Sequence, residues 1–119
     1  VGPFNFSKIQ IRLIGIGPVP AVSKLLNKLN MRADQFDVIE SNEAFAAQAC
    51  AVNAELGLNT SKVNPNGGAI ALGHPVGATG AIISVKALHE LECIDGRFAL
   101  VTMCIGGGQG IALAFERLN

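Results

Sequence analysis

Apolar and polar positions alternate and recur along the chain in ways that predict a series of short elements. Lys8-Ile-Gln-Ile-Arg-Leu-Ile14 alternates as a half-buried strand does, and Gly15-Ile-Gly17-Pro18 then breaks the pattern. From Pro18 the period changes to that of a helix. Val22, Leu25, Leu26 and Leu29 fall on one face and Ser23, Lys24, Asn27 and Lys28 on the other, with an end near Asn30. Phe36-Asp-Val-Ile-Glu40 reads as a short strand. A second helix is expected from about Glu43 to Leu56, stopped by Gly57. Its run from Ala44 to Val52 is apolar almost all round, which predicts burial on every side.

Lys62-Val-Asn64 is a further strand candidate, followed by a glycine-rich segment over 64–80. A third helix leaves that segment. Ala78, Ala81, Ile82, Val85, Leu88 and Leu91 form its expected apolar face, and Lys86, His89, Glu90 and Glu92 its polar one. Arg97 to Cys104 and Gly110 to Glu116 are strands separated by Ile105-Gly-Gly-Gly108, an antiparallel hairpin. The whole predicts an α/β fold, a mixed sheet with an antiparallel edge hairpin, covered by helices.

Composition narrows the function classes. The 119 residues are 50% apolar and only 15% charged, against about 25% in an average domain. That is enough apolar material for one core, and it suggests a chain that packs against something larger. Nine basic residues balance nine acidic ones, which gives no electrostatic case for nucleic acid or an anionic membrane. No apolar run approaches the roughly 20 residues that span a bilayer. The start, Val1-Gly-Pro-Phe, has no initiator Met and no leader pattern, and reads as the cut edge of something longer. Cys50, Cys93 and Cys104 are odd in number and show no C-x-x-C spacing, so a reduced, cytoplasmic setting is the expectation.

Several chemical motifs fail on inspection. Gly68-x4-Gly73 has P-loop spacing, but His74-Pro75 stands where Lys-Ser/Thr is required. Neither Gly15-Ile-Gly17 nor Gly106-Gly-Gly-Gln-Gly110 completes G-x-G-x-x-G. His74 and His89 lie too far apart, without supporting ligands, to predict a metal site.

Three residues remain of interest. His74 lies between Gly73 and Pro75, and the N-terminal dipole of the following helix points back at it, favouring the neutral imidazole that a general base needs. The plainer reading is a loop histidine bonded to a carbonyl. Cys104 ends a strand beside three glycines whose N–H groups could stabilise a thiolate or an oxyanion. The plainer reading, a small buried hydrophobe, is the one expected for Cys50 and Cys93. Asn42 is placed to cap the second helix, or to hold a water or carbonyl oxygen by its amide.

Taken together, Asn42-Glu-Ala-Phe45, Asn66-Gly-Gly-Ala-Ile-Ala-Leu-Gly-His-Pro75 and Cys104-Ile-Gly-Gly-Gly108 resemble, in order and spacing, three signatures of the C-terminal half of thiolases. The resemblance runs from about Gly15 to the end, giving a thiolase C-terminal domain over 15–119 and a poorly matching segment over 1–14. It implies an acyl-CoA C-acyltransferase that makes or cleaves 3-ketoacyl-CoA by Claisen chemistry. On that resemblance His74 activates a nucleophilic cysteine, and Cys104 moves the α-proton. Asn42 holds the oxyanion-site water, the Gly106 N–H serves a second oxyanion hole, and Phe45 lines the pantetheine channel. Ile14 stands where many members carry Met, which bears on acyl-chain selectivity.

No permanently bound cofactor is implied; a coenzyme A thioester is the substrate. The nucleophilic cysteine lies in the family's N-terminal half, so these 119 residues alone are expected to be inactive. The missing half and a second copy are the expected partners. A 3-ketoacyl synthase relative would carry His in place of Cys104, and a non-catalytic remnant or oligomerisation module is the other alternative.

Overall fold

A computed structural model describes residues 15–118. The expected strand over Lys8–Ile14, and Ile14 itself, lie outside the described residues. Helix α1 (Pro18–Leu29) opens with Pro at its first turn and closes on Asn30 in a left-handed conformation. Strand β1 (Val38–Ser41), helix α2 (Ala46–Glu55), a single turn of helix α3 (Ala69–Leu72) and helix α4 (Thr79–Cys93) follow. Strands β2 (Phe98–Ile105) and β3 (Gln109–Glu116) complete the order.

The sheet runs β1-β2-β3, with β1 parallel to β2 and β2 antiparallel to β3. Val38 pairs with Ala99, and Ile105 with Gln109 across the triple-glycine turn. Strand periodicity divides the core in two. Ile39, Leu100 and Ala112 meet Ala21, Val22 and Leu25 of α1 on one face. Val38, Ala99 and Val101 meet Ile83, Ala87 and Leu91 of α4 on the other. The result is the expected mixed sheet between helices, ending in an antiparallel hairpin.

Several local expectations are corrected. Of the expected apolar face of α4 only Leu91 is buried, together with Thr79, Ile83 and Ala87; Ile82, Val85 and Leu88 face outward. A stripe containing Thr and Ala lets the helix approach the sheet closely, and that fit outweighs side-chain hydrophobicity. Helix α2 buries only Gln48 and Val52 and exposes Ala46, Ala47, Cys50, Ala51 and Ala54. Burial all round needs neighbours on every side, and the described residues do not supply them. Cys50 and Cys93 are exposed rather than buried for the same reason. Residues 62–64 contribute one parallel bridge, Ile39 to Val63, instead of a strand.

Candidate active site

Parallel β1 and β2 end on the same edge of the sheet, and the conspicuous residues gather there. Asn42 continues β1, its N–H donating to Thr102 O at 2.9 Å. It is therefore part of the ladder, and α2 starts four residues later after an extended Phe45 with no side-chain cap. The cap role expected for Asn42 is not filled. Its side chain is free to face the loop before α4.

That loop is held by its own sequence and by three ties to β1 and its extension. Gly73 has φ 98° and ψ 161°, a conformation open to glycine and strained for any side chain. Asn64 grips the Ser41 backbone at both ends, accepting from its N–H at 2.9 Å and donating to its carbonyl at 2.8 Å. Glu43 accepts the Ile70 N–H at 2.9 Å, where α3 begins. Lys86, expected on a solvated face, instead donates to Glu40 Oε2 at 2.9 Å and to the Gly67 carbonyl. Glu40 is fully buried, and that burial raises its carboxyl pKa above the ordinary value despite the opposing pull of Lys86.

His74 follows Gly73 in that loop. Its Nδ1 lies 2.6 Å from Thr79 Oγ1, and that hydroxyl donates to Pro75 O at 3.0 Å. The hydroxyl has one proton, so Nδ1–H is the donor to Thr79. In the neutral ring Nε2 then keeps its lone pair, and it faces Asn42 Nδ2 at 3.5 Å. The bonding partners are thus a hydroxyl and an amide, not the carbonyl of the plainer reading. The network leaves Nε2 as the basic nitrogen.

A groove of about 980 Å³ opens beside it, lined among others by Phe45, Gln48, His74, Met103, Cys104 and Gly106. Phe45 is 71% and Val76 80% exposed at its rim. Cys104 Sγ–H donates to Gln48 Oε1 at 3.8 Å. The structure therefore brings Phe45, His74, Cys104 and Gly106 to one groove and sets Asn42 against His74. Cys50 and Cys93 do not line it.

Sequence reasoning missed Gln48 and Thr79, which contact Cys104 and His74 respectively, and the Glu40–Lys86 pair. Gln48 had a signal: it is the one polar side chain in the run Ala44–Val52. Thr79, five residues past His74, had none without the loop's path.

The fold is thus a three-layer α/β domain with a thiol and an imidazole beside one groove at the carboxyl edge of its sheet. Residues 3–117 match the thiolase C-terminal domain model, and the chain belongs to the thiolase family. It is 60% identical over 115 residues to beta-ketothiolase BktB of Cupriavidus necator, covering 97% of this chain and 29% of that protein. An acetyl-CoA acetyltransferase of Escherichia coli is 56% identical over 107 residues, which cover 90% of this chain and 27% of the relative. The crystal structure of human mitochondrial 3-ketoacyl-CoA thiolase in complex with CoA superposes with a TM-score of 0.92 at 46% identity. That alignment covers 98% of this chain and 29% of the human one. The chain thus spans less than a third of the length of these relatives.

Proposed function

We propose that this chain supplies the proton-transfer half of a thiolase active site, acting on acyl-CoA thioesters. The observation that carries the reading is the pair of proton carriers in one setting: His74 with Nε2 left basic, and the Cys104 thiol in the same groove.

In the cleavage direction, His74 Nε2 takes the proton of a nucleophilic thiol supplied by chain beyond these residues. The thiolate attacks the 3-keto carbon, and the C2–C3 bond breaks. Its electron pair passes to the departing acetyl-CoA enolate, which Cys104 protonates from its S–H. Coenzyme A then gives its proton to the Cys104 thiolate, attacks the acyl-cysteine and carries off the acyl group, and the departing cysteine thiolate takes back its proton from His74. Condensation runs the same steps in reverse. Enolate charge develops on a thioester oxygen, and donors aimed there lower the barrier most. Asn42 Nδ2 beside His74, acting through a water, supplies one such place, and the Gly106 N–H another. The apolar rim at Phe45 suits the pantetheine arm.

Neither Cys50 nor Cys93 lines the groove, which supports a nucleophile outside this chain and inactivity of the chain alone. The partners in this reading are an N-terminal thiolase half and a further copy. Three unpaired cysteines fit a cytoplasmic location.

The test is reconstitution with the N-terminal portion of the Cupriavidus relative, followed by acetoacetyl-CoA thiolysis. Cys104→Ala and His74→Ala should each lower kcat by about 10²–10⁴-fold. Full activity in either variant contradicts the assignment.

A further inference from the structure

A second, much smaller cavity lies against the same loop, with a volume of about 20 Å³. Its walls include Glu40, Asn42, Asn64, Gly68, Thr79 and Lys86. The volume admits one water molecule and no more. Two of these wall residues carry a buried oxygen, Glu40 Oε1 and Asn42 Oδ1, with no hydrogen-bond partner among the described residues. Glu40 is fully buried and Asn42 only 6% exposed. The two are separated by one residue on β1 and its extension, so their side chains leave the same face of the strand.

Both orphans are acceptors, and a water has two protons to give. Glu40's other oxygen is already held by Lys86 at 2.9 Å, and Lys86 also holds Gly67 O. The carboxylate is thus locked in place with Oε1 left over. We propose that one buried water donates to Glu40 Oε1 and Asn42 Oδ1, making the Glu40–Lys86 pair a positioning device for the Asn42 amide.

The consequence is the orientation of that amide. With Oδ1 held by the water, Nδ2 faces His74 Nε2 and donates to its lone pair. A turned amide would set Oδ1 against Nε2 and favour a proton there. Glu40 thereby reinforces, through Asn42, the Nδ1–H tautomer that the bond to Thr79 favours. The importance of that choice rests on the proposed role of His74 as base, but the tautomer is a property of the folded chain alone.

The experiment reads the tautomer by two-bond ¹H–¹⁵N spectra of the imidazole-labelled chain, at a pH where the rings are neutral. Exposed His89 serves as the internal reference. His74 should show the Nδ1–H pattern in the parent chain. Glu40→Gln should keep it, because the amide can hold Lys86 by its oxygen and the water by its NH₂. Glu40→Leu should shift His74 toward the Nε2–H form. A folded Glu40→Leu chain with an unchanged His74 pattern overturns the proposal, as does an Nε2–H pattern in the parent.

Should Glu40→Leu not fold, the parent decides: a long-lived water cross-peak to the Asn42 amide protons is expected, and its absence is contrary. These readouts do not use turnover. A chain that gives the expected spectra yet fails to support thiolysis contradicts the proposed function and supports this inference.

Discussion

Gly17 and Gly110 cross in backbone contact, so that a methyl group built on Gly110 would stand 2.2 Å from the carbonyl carbon and oxygen of Gly17. This crossing joins the entry of α1 to the start of β3, two residues beyond the triple-glycine turn that follows Cys104 and Ile105. A 2.2 Å approach to backbone atoms cannot be relieved by a side-chain rotation.

Gly110→Ala should therefore destabilise the chain by about 3 kcal/mol or more, the scale of severe overpacking, and shift thermal unfolding accordingly. Gly106→Ala is the control. Nothing lies within 4 Å of its added methyl, and its φ is not in the left-handed region. Its unfolding midpoint should stay within a degree or two of the parent, on the order of 0.5 kcal/mol. Equal effects of the two substitutions would contradict the close crossing.

Two carboxyls should give opposite pH signatures. Asp37 Oδ2 accepts the N–H groups of Phe98 and Arg97 at 2.9 and 2.8 Å, and the Phe98 bond is the larger cause of its lowered pKa. Its stabilisation is present above the ordinary carboxyl value and lost as pH falls through the depressed one. Asp37→Asn should cost about 1 kcal/mol at neutral pH and progressively less in acid. Glu40 is raised by burial, so its contribution is fullest below the ordinary value near 4.5 and declines as pH rises through the folded value. Glu40→Gln should fall furthest behind the parent in mild acid and recover at neutral pH. Denaturant titrations across pH 3 to 8 measure both; parallel curves would contradict both assignments.

The secondary structure was largely legible because its signals are local. Pro18 at a helix start, Asn30 at its end and three glycines between two apolar strands each act within a few residues. Facing was harder. The α4 stripe of Thr79, Ile83, Ala87 and Leu91 is chosen by the sheet it meets, and no count of apolar residues on the helix reveals that choice. The site divides in the same way. Asn42, His74 and Cys104 stand in motifs whose order is visible in sequence. The tie from Lys86 to Glu40 spans 46 positions and exists only once the glycine-rich segment is folded over β1.

An apolar surface remains to be accounted for. Phe45, Ile70, Leu72, Val76, Val85 and Leu88 are all more than 40% exposed, and they crowd the segments around α2, α3 and α4. Exposed apolar residues in that number predict an association surface. The purified chain should self-associate with rising concentration, measured by light scattering on a sizing column. Val76→Ser with Leu88→Ser should weaken that association. A strictly monomeric chain at high concentration would contradict the prediction.

The proposed function is a division of labour, in which these residues move protons and a thiol elsewhere carries the acyl group. Its most direct test is thiolysis of acetoacetyl-CoA by the purified chain alone, with the intact mass of the same sample followed during incubation. No turnover and no acyl adduct are expected. Turnover that Cys104→Ala abolishes, with an acylated mass in the parent sample, would mean that a cysteine within this chain carries the acyl group, and would contradict that division of labour.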